Sequence, residues 1–163
     1  MGKGAAVRGI HAWGIVIACL LTLIGCMGAG THGYIKAYRY GVTKPVLEEA
    51  IKKVIKTNAA VIKDSIKGYY NDDTSYTTLF IQSKSQEYSY TFQFYGDKQY
   101  WDSSQTSEVF IAYGYDKDRN GGSAGNGGVK WYDYNLKKEL TQPFEEEFIS
   151  KIDEELGIKH TEE

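Results

Sequence analysis

Glu87-Tyr88-Ser89-Tyr90-Thr91-Phe92-Gln93-Phe94-Tyr95 sets an aromatic at every second position from Tyr88 to Phe94, with Ser, Thr and Gln between. Side chains on a strand alternate between two faces, so this stretch predicts a β-strand with one apolar and one polar face. A polar face on each strand implies a sheet that meets water on one side, as antiparallel sheets do. Working outward, Ser83-Lys84-Ser85-Gln86 reads as a turn. Before it, Tyr76 to Gln82 reads as a strand with Leu79 and Ile81 on one face and Tyr76, Thr78 and Phe80 on the other. Downstream, Glu108 to Tyr115 offers Val109, Ile111, Tyr113 and Tyr115 to one side, and Val129 to Tyr134 reads as a shorter fourth strand.

Helical patterns flank this β region. Pro45 suits a helix start after Thr43, and Leu47, Ile51, Val54, Ile55, Asn58, Ile62 and Ile66 trace one face towards a cap at Gly68. Near the C-terminus, Thr141 is the expected N-cap, Pro143 stands near the start, and Glu145, Glu146 and Glu147 fill the first turn. Phe144, Phe148, Ile152 and Leu156 recur at spacing four, and Gly157 follows as the C-cap. An apolar helix stripe needs a partner, and the aromatic sheet face supplies one. The expected class is α+β: a two-layer sandwich whose antiparallel sheet of about four strands carries an N-terminal and a C-terminal helix on one face. Tyr34 to Tyr40 reads as a short additional strand clipped by Gly33 and Gly41.

The first 25 residues follow a different rule. Lys3 and Arg8 precede the apolar run Ile15 to Ile24, and no acid occurs before Glu48. A positive region, an apolar region and a small residue before a cut point describe a signal peptide. Leu23-Ile24-Gly25-Cys26 resembles the lipobox of bacterial lipoprotein precursors. That resemblance implies cleavage before Cys26, acylation of its thiol and new amino group, and a membrane held through those chains. An uncleaved span over Ala12 to Thr31, or secretion after Gly28-Ala29-Gly30, are the alternatives. Val16-Ile17-Ala18-Cys19 fits the lipobox more loosely and would leave Leu20 to Ile24 on the mature chain. The layout of Cys26, Gly28, Gly30, Gly33-Tyr34, one amphipathic helix and a closing helix is also similar to a family of small uncharacterised bacterial lipoproteins, from which no activity follows. The organisation expected is a signal peptide over 1–25, a lipidated tether over 26–33 and one domain over 34–163. Met27 after the cysteine is not the aspartate linked to inner-membrane retention, so the resemblance implies the outer membrane if the cell is Gram-negative.

Removing the signal lowers Lys plus Arg from 19 to 17 while all 21 acids remain, a charge of −4. No basic block offers a nucleic-acid face. Cys26 would be the single cysteine left, so the domain folds without disulfides.

Four features invite a function. Eleven of the 14 tyrosines fall between Tyr69 and Tyr134, and aromatic platforms bind glycans or partner proteins. Tyr100, Trp101, Trp131 and Tyr132 are the candidate binding aromatics; core and edge packing in a tyrosine-rich sheet is the plainer account. Asp116-Lys117-Asp118-Arg119-Asn120-Gly121 has the opening of a calcium loop, with Asp116, Asp118 and Asn120 as oxygen donors. Its twelfth position is Gly127 in place of a bidentate Glu, so calcium binding is weak at most, and a plain turn is the alternative. No other cofactor is expected. His32 and His160 lie in the tether and tail, and the Glu145–Glu147 and Asp153–Glu155 carboxylates read as solvated helix surface, so no catalytic group is assigned. The leading expectation is a non-enzymatic interaction, assembly or immunity-type module. A glycan-binding lipoprotein and a hydrolase with a carboxylate site are the alternatives.

Overall fold

In a computed structural model, described for residues 33–64, 76–124, 128–130 and 133–162, the alternating stretch is one strand of an antiparallel sheet. The strands are β1 (Ala37–Tyr40), β2 (Val61–Lys63), β3 (Thr77–Ser83), β4 (Gln86–Phe94), β5 (Ser107–Tyr115), β6 (Gly121–Gly122) and β7 (Thr161–Glu162). The helices are α1 (Lys44–Thr57), α2 (Lys98–Ser103), α3 (Tyr134–Phe144) and α4 (Ser150–Leu156), with a π-helical segment, Glu145–Ile149, joining the last two. The class is α+β as expected, but the sheet has seven strands among the described residues, not about four. Its order is β2-β3-β4-β5-β1-β7, with β6 paired to β5. Of the short strands, β1 falls within the strand expected over Tyr34 to Tyr40, while β2, β6 and β7 come from segments without clean alternation.

The turn between β3 and β4 is two residues, Lys84 and Ser85, at φ 50° and 65°. Two left-handed residues match the twist of a hairpin. The ladder then puts Leu79 opposite Tyr90 and Ile81 opposite Tyr88, all buried. Between β4 and β5 the register shifts: Thr91 faces Tyr113, yet Phe92 faces Ile111. Ala112 is the extra residue, and it reverses the alternation beyond it. Val109 and Ile111 are buried as expected, but Tyr113 and Tyr115 share the face of Thr91 and Ser89. A bulge of this kind leaves no trace in a period-two pattern.

Helix α1 begins as expected after Thr43 with Pro45 in its first turn, and it buries Leu47, Ala50, Ile51 and Val54. It stops at Asn58, well short of the expected end. The Asn58 carboxamide accepts the Ala60 N–H at 3.0 Å and donates to the Glu147 carbonyl at 2.6 Å, so the side chain competes with helical bonding. The next residues, Val61 and Ile62, pair with β3 instead. Ile66 and Gly68 lie outside the described residues.

The C-terminal helix starts earlier than expected. Asp133 is its N-cap, accepting the Leu136 N–H at 3.1 Å, so Tyr134, expected to end a fourth strand, opens the helix instead; Val129 makes an isolated bridge to Ala124. Thr141 and Pro143 are interior. Proline supplies no N–H and crowds the preceding turn, and the helix widens into its π segment just past it. The widening serves the stripe Leu136, Leu140, Phe144, Phe148, Ile152, Leu156. Strict spacing of four drifts by about 40° per step on an α-helix, and a wider turn takes some of that drift back. Carbonyls there find side-chain donors: Ser150 Oγ reaches Glu146 O and Asn58 Nδ2 reaches Glu147 O, both at 2.6 Å. Gly157, at φ 65°, caps the end.

One hydrophobic cluster joins helices and sheet. The Phe144 ring lies 5.0 Å from Tyr90, 5.9 Å from Tyr38 and 6.3 Å from Phe92, and Phe148 lies 5.5 Å from Phe92. Tyr90 also donates its buried hydroxyl to the Leu140 carbonyl at 2.8 Å. Among the described residues no helix is long and apolar enough to cross a membrane.

Candidate functional site

The residues marked out by sequence fall in separate places. Asp116, Asp118 and Asn120 lie in the connection from β5 to β6 and do come together. Asp116 is the hub: one carboxylate oxygen accepts the N–H groups of Asp118 at 2.9 Å and Asn120 at 2.7 Å, and the other accepts Asn120 Nδ2 at 2.8 Å. The Asp116 N–H donates to Asn120 O at 3.0 Å, closing the loop. A carboxylate so occupied holds a hairpin turn, and cation binding would have to reorganise it. Among the described residues no group of three or more His, Cys, Asp or Glu is arranged to hold a metal ion.

Tyr100 and Trp101 sit on α2, whose N-cap Asp97 accepts the Tyr100 N–H at 2.9 Å. Both are half-buried. Trp101 Nε1 donates to Tyr95 O at 2.7 Å, and the Lys44 ammonium lies 4.3 Å above its ring and 4.8 Å from that of Phe94. Tyr100 packs edge-on to Tyr95 at 5.9 Å. Gly96, at φ +93°, makes this corner possible: a Cβ there would stand 2.5 Å from the Tyr100 ring. The most open aromatic of the corner is Tyr95, at 51 % exposure. Trp131, Tyr132 and Cys26 lie outside the described residues.

A polar cluster escaped sequence reasoning because its members are far apart in the chain. Lys36 Nζ reaches Glu145 at 2.6 Å and Glu162 at 2.8 Å, and the Tyr38 hydroxyl donates to the same Glu145 oxygen at 3.0 Å. His160 Nδ1 lies 3.1 Å from both Asp153 oxygens, and its Nε2 is 3.9 Å from Glu162. Burial opposes the Lys36 charge, but the hydrogen bonds to Glu145 and Glu162 outweigh it and hold its pKa above the ordinary value. Burial, reinforced by the Glu145 charge, drives the Tyr38 hydroxyl far above the usual tyrosine range. Two readings need correction here. Asp153 is buried, not solvated, and His160 is a fixed member of a pair, not a loose tail residue. The cluster fastens β7 and the tail to β1, setting the carboxylates of Glu145, Glu162 and Asp153 around Lys36 and His160.

Between α1 and α4 runs an open groove lined by Val46, Ala50, Lys53, Glu155 and Leu156, bridged by the Lys53–Glu155 ion pair at 2.6 Å. Of its lysines, Lys52 and Lys53 are paired to acids, and Lys56 lines it beside them.

The second face of the sheet is mixed: aromatics from the neighbouring strands stand beside Glu87, Ser89, Thr91 and Gln93 of β4. Register puts Ile62, Phe80, Thr78, Thr91, Phe110, Tyr113 and Tyr115 there, opposite to Tyr90 and Phe92. Tyr34, entering β1, lays its ring on Phe110 at 5.7 Å. Ile62 is 54 % exposed, and Tyr34 and Tyr76 are each 41 % exposed. This face also holds the ion pair of Arg39 with Glu108 at 3.0 Å. Sequence alternation hints at such a face, but the Ala112 bulge, which adds Tyr113 and Tyr115 to it, was invisible.

Compared with protein families, with curated proteins and with solved structures, the chain matches none of them.

Proposed function

We propose that this protein is a lipid-anchored module of the bacterial cell envelope that acts by binding, not by catalysis. In this reading the chain is cut before Cys26, acylated there, and held at a membrane, the outer one if the cell is Gram-negative. The domain is a two-layer module whose helices cover one face of the sheet and leave the other for contact. The observation that carries the proposal is that second face, where Tyr34, Ile62 and Tyr76 are 41 %, 54 % and 41 % exposed beside half-buried Phe80 and Phe110. A surface of exposed aromatics and Ile62 interleaved with Ser, Thr and Gln suits association better than bond-making chemistry. A glycan-binding reading draws on a different observation, the corner of Tyr95, Tyr100 and Trp101, where Tyr95 is 51 % exposed.

Fatty-acid labelling tests the anchor. Cys26→Ser is expected to abolish acyl incorporation and leave an uncleaved precursor. Labelling that survives in Cys26→Ser and disappears in Cys19→Ser would move the anchor to Cys19.

A further inference from the structure

We propose that the second sheet face, with Tyr34, Ile62, Tyr76, Phe80 and Phe110, rests on the surface of the bilayer that holds the lipid anchor. The inference depends on acylation at Cys26 and names the partner of the face already singled out. Its geometric basis is where the chain enters the domain. Tyr34 is the first residue to pack on that face, against Phe110, and Gly33 bridges to Ala124 just before it. Only Met27 to Tyr34 separate the anchor from this point. Eight residues reach at most roughly 26–29 Å when fully extended. A folded partner of 100 residues has a radius of gyration of about 13 Å, hence a width of roughly 34 Å. The tether is therefore too short to admit a folded partner between this face and the membrane. The bilayer is the surface every anchored copy has within reach.

The chemistry of the face agrees. Tyrosine favours the headgroup level, where its ring is shielded and its hydroxyl stays wet. Ile62 on the edge strand adds an exposed aliphatic group able to enter the acyl boundary, and Tyr34 and Tyr76 are the exposed tyrosines of this face. Arg39 and Glu108 neutralise each other and Glu87 adds a negative charge to the face, so the contact does not call for anionic lipid. The lysine-bearing face of α1 is a poorer membrane surface: Lys44 and Lys52 are held by Glu48, Lys52 also by Glu49, and Lys53 by Glu155. Tethering also raises the local concentration of the face at the membrane, so weak apolar contacts suffice once the anchor is in place.

The test uses the full acylated protein in phosphatidylcholine vesicles carrying a shallow nitroxide-labelled lipid. Ile62→Cys, Tyr34→Cys and Lys56→Cys variants, each without Cys19, take one fluorophore apiece. Several-fold stronger quenching at positions 62 and 34 than at 56 is expected, unchanged by phosphatidylglycerol or by salt. Equal quenching at all three positions in protein that floats with the vesicles overturns the docking while leaving the anchor standing. Quenching at position 56 alone, appearing only with phosphatidylglycerol, assigns the contact to the lysine face and overturns it too. Cross-linking of position 62 to a second copy, without lipid quenching, makes the face a protein interface and refutes the bilayer. Protein that fails to float and carries no acyl chain refutes the anchor, and the proposal falls with it.

Discussion

Replacing Phe92 by alanine tests which side of the sheet is the inside. Phe92 is 2 % exposed, and its ring touches those of Phe144 at 6.3 Å and Phe148 at 5.5 Å. Deleting it forfeits about 2–3 kcal/mol of apolar transfer. Two aromatic pairs worth roughly 0.5–1.5 kcal/mol each go with it. The site is walled by two helical aromatics and a bulged strand, so collapse into the void is limited. The sum, about 3–6 kcal/mol, spans the range of about 3–5 kcal/mol found for such truncations. With a urea slope near 2 kcal/mol/M, the midpoint should drop by roughly 2 M. The matched control is Phe80→Ala, on the opposite face and half-buried, which should cost only about 1–2 kcal/mol. Urea unfolding of the segment 33–163, followed by circular dichroism and tryptophan fluorescence, measures both. If Phe80→Ala costs as much as Phe92→Ala, the assignment of inner and outer faces is wrong.

Two further outcomes follow from named groups. Tyr40 is fully buried, and its hydroxyl has no hydrogen-bond partner among the described residues, so Tyr40→Phe should change stability at neutral pH by less than about 1 kcal/mol. Burial, with the nearby Asp153 charge, raises its folded pKa, so the neutral hydroxyl belongs to the folded state. The stability it lends is complete below the unfolded tyrosine value near 10 and is lost as pH rises above it. Tyr40→Phe should thus soften alkaline unfolding; a steeper alkaline loss, or a large cost at neutral pH, refutes the assignment. Calcium must displace hydrogen bonds already made by Asp116, so binding should be no tighter than roughly 10⁻⁴–10⁻³ M. Calorimetry of wild type against Asp118→Ala checks this, and a tighter constant lost in the variant would make the loop a true cation site.

Local signals carried much of the design. Tyr88, Tyr90 and Phe92 alternate so regularly that their burial could be read directly, and the apolar stripes of the helices showed in spacings of three and four. Gly157, at φ 65°, was legible as a stop for the same reason: its role depends on its own backbone. Signals that depend on distant partners were not legible. Val61 and Ile62 continue the helical pattern of α1, but Asn58 finds the Glu147 carbonyl 89 residues away and β3 offers a ladder, so tertiary bonding overrides periodicity. The Ala112 bulge shifts Tyr113 and Tyr115 to the second face through pairing with β4, which no single-strand pattern contains. Asp153 and His160 looked like surface and tail until Gly157 turned the chain back onto β1, bringing Glu162 within 2.8 Å of Lys36. The sequence by itself determined the α+β class, the apolar stripes and the expectation of an anchor at Cys26, because each rests on neighbours a few residues apart. The tertiary structure alone decided the strand count, the point where α1 ends and the make-up of the second sheet face, because each is set by contacts between residues that only folding brings together.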